Sequence, residues 1–174
     1  MAYRESAKFY DLFAKGKEEE LEFYLKMARE AGSPCLELGV GTGLFAISLA
    51  GEGFEVVGID NSPDILKVAR EKLRRLPRPV VNKLSFLQGD MASFQLNRKF
   101  RLIYIPSGTF QYMDTKAKQE SCLRCVRDHL HPEGRFVFDV WVGEVDSSGA
   151  WRRFDTKQLL DRRDGVPNVW RLNI

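Results

Sequence analysis

The sequence predicts an α/β fold, a doubly wound, mostly parallel sheet inside a three-layer α/β/α sandwich, and three observations predict it. Short β-rich apolar runs alternate with helical stretches along the chain, the order a parallel sheet with crossover helices requires. The first run closes on a glycine-rich turn, Gly39-Val40-Gly41-Thr42-Gly43, and helical Leu44-Phe45-Ala46-Ile47-Ser48-Leu49-Ala50 follows at once. The second run, Phe54-Glu55-Val56-Val57-Gly58-Ile59, ends on a carboxylate, Asp60, 21 residues beyond Gly39.

Helices are expected first over 4–14 and 17–31, the second loaded with acid at its start by Glu18-Glu19-Glu20, where the helix dipole favours negative charge. A strand fits 34–39 and a helix 43–51, broken by Gly51-Glu52-Gly53. After the strand over 54–59, Ser62 and Pro63 offer an N-cap and a first helical residue for a helix over 62–75. Strands over 84–88 and 100–105 end respectively at a Gly89-Asp90 turn and at Pro106-Ser107-Gly108. A helix over 115–130 carries the apolar stripe Cys122, Leu123, Val126 and Leu130, and a fifth strand covers 135–142. Beyond it, Trp151-Arg152-Arg153-Phe154 and the turn Arg163-Asp164-Gly165 suggest short antiparallel strands or a hairpin.

The glycine corner carries the first chemical signal. Without Cβ the backbone turns sharply and a ligand approaches the main chain, while the following helix offers unpaired N–H groups and a positive dipole end. Such a corner also serves as a plain strand-to-helix connection, so Asp60 adds the weight. An acid about 20 residues past the turn, at the end of the second strand, sits where a ribose diol lies and accepts its hydroxyls. The competing role for Asp60, as N-cap of the next helix, is already filled by Ser62.

Glycine spacing separates two ligand families. A dinucleotide fingerprint starting at Gly39 needs a third glycine at position 44, which is Leu44, whereas the chain has Gly39, Gly41 and Gly43 with Glu37 two residues ahead. The stretch resembles motif I of the class I S-adenosylmethionine-dependent methyltransferases, an acid followed by G-x-G-x-G. The resemblance runs over residues 34–142. It implies a Rossmann-like fold, S-adenosyl-L-methionine as cofactor, and Glu37, Gly39, Gly41, Gly43, Asp60 and Asn61 among its contacts. It further implies that Asp90 and Met91 hold the adenine and that a carbonyl at Ile105 accepts from the ammonium of the methionine part. Phe9-Tyr10-Asp11 resembles a lid segment, and Tyr10, Phe110 and Tyr112 are candidates for an aromatic wall around the methyl group, with core packing the alternative for each. Two departures stand out: Arg101 where the family usually has Asp, and Glu133 in place of a glycine before the fifth strand.

The implied activity is methyl transfer by direct displacement to a nucleophile on a small molecule, with no catalytic acid or base specified. A non-catalytic cofactor-binding module that serves as a partner or regulator is the alternative, and a nicotinamide oxidoreductase a distant third. The implied organisation is one domain over 1–174: an N-terminal helical lid at 1–33, a cofactor core at 34–142 and a tail at 143–174 that leaves little room for the family's outer strands. A truncated sheet would expose Phe136 to Val142 as an apolar edge able to pair with another copy, giving a homo-oligomer.

Composition agrees with one such core: 174 residues, 44% of them apolar. Lys and Arg number 27 against 24 Asp and Glu, an excess of three too thin to suggest nucleic acid or membrane as partner. The cluster Arg70, Lys72, Arg74, Arg75 and Arg78 reads as a solvated helix face. The polar start and the lack of a long apolar run predict a cytoplasmic protein. Cys35, Cys122 and Cys125 fit reduced thiols. Cys122, Cys125, His129 and His131 lack the loop a zinc site uses and are expected to pack on a helix, so no metal is expected; neither histidine suits a general base.

Overall fold

The computed structural model describes residues 17–140, together with the backbone of 143–145 and 151–153. The expected helix over 4–14, Tyr10 and the turn at 163–165 lie outside the described residues.

Helix α1 (Glu18–Ala31) puts Tyr24, Leu25, Met27, Ala28 and Ala31 on one buried stripe, the spacing an amphipathic helix needs to cover a sheet. Strand β1 (Cys35–Leu38) is buried throughout. Helix α2 (Leu44–Gly51) follows it, then β2 (Val56–Asp60) and α3 (Pro63–Leu73), whose N-cap Ser62 accepts from the Ile65 N–H at 3.4 Å. A short helix α4 (Arg78–Val81), unpredicted from sequence, leads into β3 (Leu84–Gln88). After β4 (Phe100–Ile105) come a single 3₁₀ turn (Thr109–Tyr112), α5 (Lys116–His129) and β5 (Leu130–Phe138).

The five strands pair in parallel in the order β3-β2-β1-β4-β5. The doubly wound fold is therefore present, with the chain reversing direction of travel between β1 and β4. That is the switch point at which open α/β sheets leave a crevice at the carboxyl edge. Alternate residues of β4 feed two cores. Leu102 and Tyr104 join Tyr24, Phe45 and Leu49 on the α1/α2 face, while Ile103 and Ile105 join Leu36, Leu38 and Val126 on the α5 face. Each such fully buried aliphatic side chain contributes about 1.5–3 kcal/mol of transfer free energy.

Two boundaries differ from the sequence expectation for physical reasons. Strand β5 begins at Leu130 rather than 135: Phe100 pairs with Leu130 and Leu102 with Arg135, so His131 to Gly134 bulge from the ladder while the strand continues through them. It also stops at Phe138, because Asp139 turns its carboxylate onto the neighbouring loop. Past it, β6 (Gly143–Val145) pairs antiparallel with β7 (Trp151–Arg153); a strand is expected at 151–154, but its partner here precedes it in the chain, and the expected turn at 163–165 lies outside the described residues. Among the described residues β5 is the sheet's outer strand on that side.

His129 is 2% exposed and fully used in packing: its Nε2 accepts the Leu96 N–H at 2.8 Å, its Nδ1 lies 2.7 Å from the Cys125 carbonyl, and its ring packs on Phe94. Burial pushes the Cys122 thiol up to about 12, and Cys35 likewise to about 12, which makes both inert packing groups. No described helix is long and apolar enough to cross a membrane.

Candidate active site

The glycine turn leaves β1 with three residues in the left-handed region, Gly39, Gly41 and Gly43, at φ of 76°, 56° and 83°. A side chain at Gly39 would also collide with its surroundings, since a Cβ there would lie 2.4 Å from Thr109 Cγ2. The Met91 methyl stands 3.6 Å from the same point, so the turns after β1, β3 and β4 meet at Gly39. In mid-β2, Gly58 has no Cβ because Val40 lies over it; a Cβ would be 2.5 Å from Val40 Cγ2. The turn is thereby pressed against β2, and Gly39 and Val40 both donate to the Ile59 carbonyl, at 2.8 and 2.9 Å.

Asp60 ties the same turn to the end of β2. Its Oδ2 accepts from the Gly41 N–H and its Oδ1 from the Ser62 N–H, each at 2.9 Å. Burial holds its carboxyl above the ordinary range, opposed by the N–H groups of Ser62, Gly41 and Asn61. A carboxylate offers about four lone-pair positions, so Asp60 retains acceptor capacity for hydroxyls after engaging the backbone. Asn61 next to it is exposed.

Glu37, by contrast, faces inward and is 1% exposed. Its Oε2 accepts the Tyr104 hydroxyl at 2.8 Å, and the Ala46 N–H in the first turn of α2 donates to it as well. Gly43, the N-cap of α2, has no side chain to cap with. Glu37 supplies that acceptor from the strand beneath. Burial pushes its carboxyl up to about 8 despite both donors. Tyr104 is pushed well above its ordinary value, by burial first and then by Glu37.

On the far side of the crevice, Ile105 presents a weakly engaged carbonyl. The Tyr24 hydroxyl lies 3.3 Å from it and the Asp139 N–H 3.4 Å, both long for such bonds, so it too keeps acceptor capacity. The loop beyond runs through Ser107 and Gly108 at φ of 61° and 66°. Asp139 holds it: Oδ1 accepts the Ser107 N–H at 2.8 Å and the Tyr24 hydroxyl at 2.6 Å, and Oδ2 the Gly108 N–H at 2.6 Å. Glu20 accepts both the Ser107 N–H and its hydroxyl, at 2.8 and 2.9 Å. Lys17 also donates to the Ser107 hydroxyl and sits 5.6 Å from the Phe45 ring centroid.

Asp90 occupies the turn after β3, exposed, with Oδ1 accepting the Ala92 N–H at 2.8 Å; Met91 beside it is half-buried. The two described candidates for an aromatic wall part company. Phe110 packs on Phe138 at 5.0 Å between centroids, whereas Tyr112 is 69% exposed. Among the described residues no group of His, Cys, Asp and Glu could hold a metal ion.

The structure thus brings Gly39, Gly41, Gly43, Asp60, Met91 and Ile105 to one carboxyl edge of the sheet and sets Glu37 behind them. Residues 35–134 match the model of a family described as "Methyltransferase domain". The chain belongs to this methyltransferase family. YqeM of Bacillus subtilis (strain 168), which carries a methyltransferase name, is 31% identical over 98% of this chain and 66% of its own. The Streptomyces venezuelae dTDP-3-amino-3,4,6-trideoxy-alpha-D-glucopyranose N,N-dimethyltransferase is 27% identical over 91% of this chain and 65% of its own. Among solved structures, the glycopeptide N-methyltransferase MtfA in complex with S-adenosyl-L-homocysteine superposes with a TM-score of 0.68 at 29% identity, covering 73% of this chain and 49% of that one. The chain therefore spans about two thirds of the length of these curated relatives, and about half of MtfA.

Several residues that build this crevice were missed from sequence: Tyr24, Tyr104, Ser107 and Asp139, with Lys17 and Glu20 at the start of α1. Two carried a readable signal. Asp139 is an acid closing the apolar run Phe136-Val137-Phe138, much as Asp60 closes its own, and Tyr104 is a hydroxyl-bearing residue inside a mostly apolar central strand, in register with Glu37.

Proposed function

We propose that the chain catalyses S-adenosyl-L-methionine-dependent methyl transfer to a nucleophile on a small molecule. The observation that carries this reading is the Asp60–Gly41 bond, which joins the two sequence signals, glycine turn and strand-end acid, into one half-ring with acceptor capacity to spare. Asp60, with Asn61, would take the ribose hydroxyls; the turn at Gly39, Gly41 and Gly43 would lie against the amino-acid portion. The weakly engaged Ile105 carbonyl would accept from its ammonium. Asp90 and Met91 would take the adenine edge. Glu37 acts from behind, fixing the start of α2 rather than opening toward the crevice.

When bound, the cofactor supplies a methyl on a cationic sulfur whose departing thioether is neutral, so the protein's task is orientation and exclusion of water, effects worth about 7–11 kcal/mol in well-aligned systems. Of the described aromatics, the exposed Tyr112 would be free to meet an incoming substrate, whereas Phe110 is engaged with Phe138. Tyr10 belongs to the same proposal from the N-terminal segment. The names of the relatives, amino-sugar and glycopeptide N-methyltransferases, support a small-molecule acceptor.

The reading treats residues 1–174 as one domain with an N-terminal lid, working in the cytoplasm, where Cys35, Cys122 and Cys125 stay as free thiols. It also allows pairing of two copies through the outer edge of β5. Light scattering at high concentration checks that point: a dimer agrees with it and a monodisperse monomer contradicts it. For the activity itself, release of S-adenosylhomocysteine with a panel of amine, hydroxyl and thiol acceptors is expected for at least one acceptor class. Tight cofactor binding with no turnover on any of them would instead indicate a binding module.

A further inference from the structure

We infer that Asp139 is a positioning residue whose carboxylate fills an anion nest formed by the Ser107 and Gly108 N–H groups, and so sets the loop that carries Ile105 and Thr109 to the crevice. The inference rests on the cofactor reading above. Successive backbone N–H groups in a tight turn form a concavity that attracts an anion. Here the turn is made by two adjacent left-handed residues, one of them Ser107, which has a Cβ and adopts φ of 61° only under constraint. The chain fills that concavity with its own acid, one oxygen on Ser107 at 2.8 Å and the other on Gly108 at 2.6 Å.

What the carboxylate holds reaches well beyond the turn. Thr109, the next residue, packs its methyl against the bare Cα of Gly39, and Ile105 precedes the turn with its weakly bonded carbonyl. The Tyr24 hydroxyl, 2.6 Å from Asp139 Oδ1, fixes the carboxylate from α1. One acid thus registers α1, the end of β5, the loop after β4 and, through Thr109, the glycine turn. Loss of that acid leaves Glu20 on the Ser107 N–H but takes the acceptor from Gly108, so the turn is held at one N–H instead of two; its second residue relaxes, which withdraws Thr109 and re-aims the Ile105 carbonyl.

The test uses S-adenosylhomocysteine titrated by calorimetry into the full chain, well below the melting temperature, with backbone hydrogen exchange of the segment 104–112 as a second readout. Asp139→Asn keeps size but leaves an NH₂ where the Gly108 N–H needs an acceptor. It is expected to weaken binding about tenfold and to speed exchange at Gly108 by a similar factor. Adding Ser107→Gly to Asp139→Asn, so that the left-handed conformation carries no Cβ penalty, should recover about threefold of the affinity, a rescue that a merely stabilising role for Asp139 would not produce. Unchanged affinity in Asp139→Asn, whatever its melting temperature, overturns the inference. Should Asp139→Asn not fold, Tyr24→Phe removes one donor to the carboxylate: about twofold weaker binding supports the role and unchanged binding overturns it. Failure of the wild-type chain to bind refutes the cofactor reading instead, and unchanged exchange at Gly108 then overturns the nest by itself.

Discussion

Replacing Glu37 by Gln isolates the cost of burying an acid beneath the glycine turn. In the folded chain Glu37 keeps its proton up to about pH 8, whereas an ordinary glutamate releases it near 4.5. Between those values the folded state binds more protons than the unfolded one, so stability falls as pH rises; below the lower value and above the upper one this contribution is flat. The slope approaches about 1.4 kcal/mol per pH unit, which sums to a ceiling of about 5 kcal/mol across the window. Backbone relaxation and water entry reduce that, and a swing of about 2–4 kcal/mol is the working expectation. Glutamine keeps the shape and one acceptor oxygen, which can serve the Tyr104 hydroxyl, while removing the titration. Urea unfolding of both chains at half-unit steps from pH 4.5 to 8.5 should show the Gln variant gaining on the wild type steadily with pH. Parallel stability curves would refute the reasoning, because they would mean that Glu37 titrates alike in the folded and unfolded chains.

Other consequences are equally direct. Gly39→Ala combines a left-handed backbone with a Cβ driven into Thr109, and should cost about 1–3 kcal/mol in urea unfolding; combining it with Thr109→Ala should return part of the loss. Asp60→Ala removes the acceptor of Gly41 and Ser62 as well as the proposed ribose contact, and should weaken S-adenosylhomocysteine binding by about 1–3 kcal/mol in calorimetry, with an unchanged isotherm removing Asp60 from the site. Tyr104→Phe takes a hydroxyl from a fully buried pair and should cost about 1–3 kcal/mol of stability, measured by the same unfolding assay. His129→Ala, which strips the acceptor from the Leu96 N–H, should lower stability while leaving cofactor affinity unchanged, since the ring lies on the α5 face away from the crevice.

Much of the site was legible because its signals are local. A glycine turn, an acid ending a strand and an N-cap Ser–Pro pair each declare themselves within a few residues, and the structure joins Gly41 to Asp60 and uses Ser62 as the cap. What escaped is long-range. Glu37 meets Tyr104 only because β1 and β4 lie side by side, and nothing near Ser107 in sequence announces that Glu20 and Asp139 will hold its N–H. The start of β5 was misplaced for a related reason: Pro132-Glu133-Gly134 looks like a stop, but a bulge lets the strand begin ahead of it. Phe110 and Tyr112, alike by sequence, differ because one finds Phe138 across the sheet end and the other finds solvent.

The central claim is that the crevice bordered by Gly39, Asp60 and Ile105 recognises an activated methionine nucleoside. Calorimetric titration of the full chain with S-adenosyl-L-methionine, S-adenosylhomocysteine and NAD tests it most directly. Saturable one-to-one binding of the first two and none of the third is predicted; heat from NAD alone, or from none of the three, would contradict it.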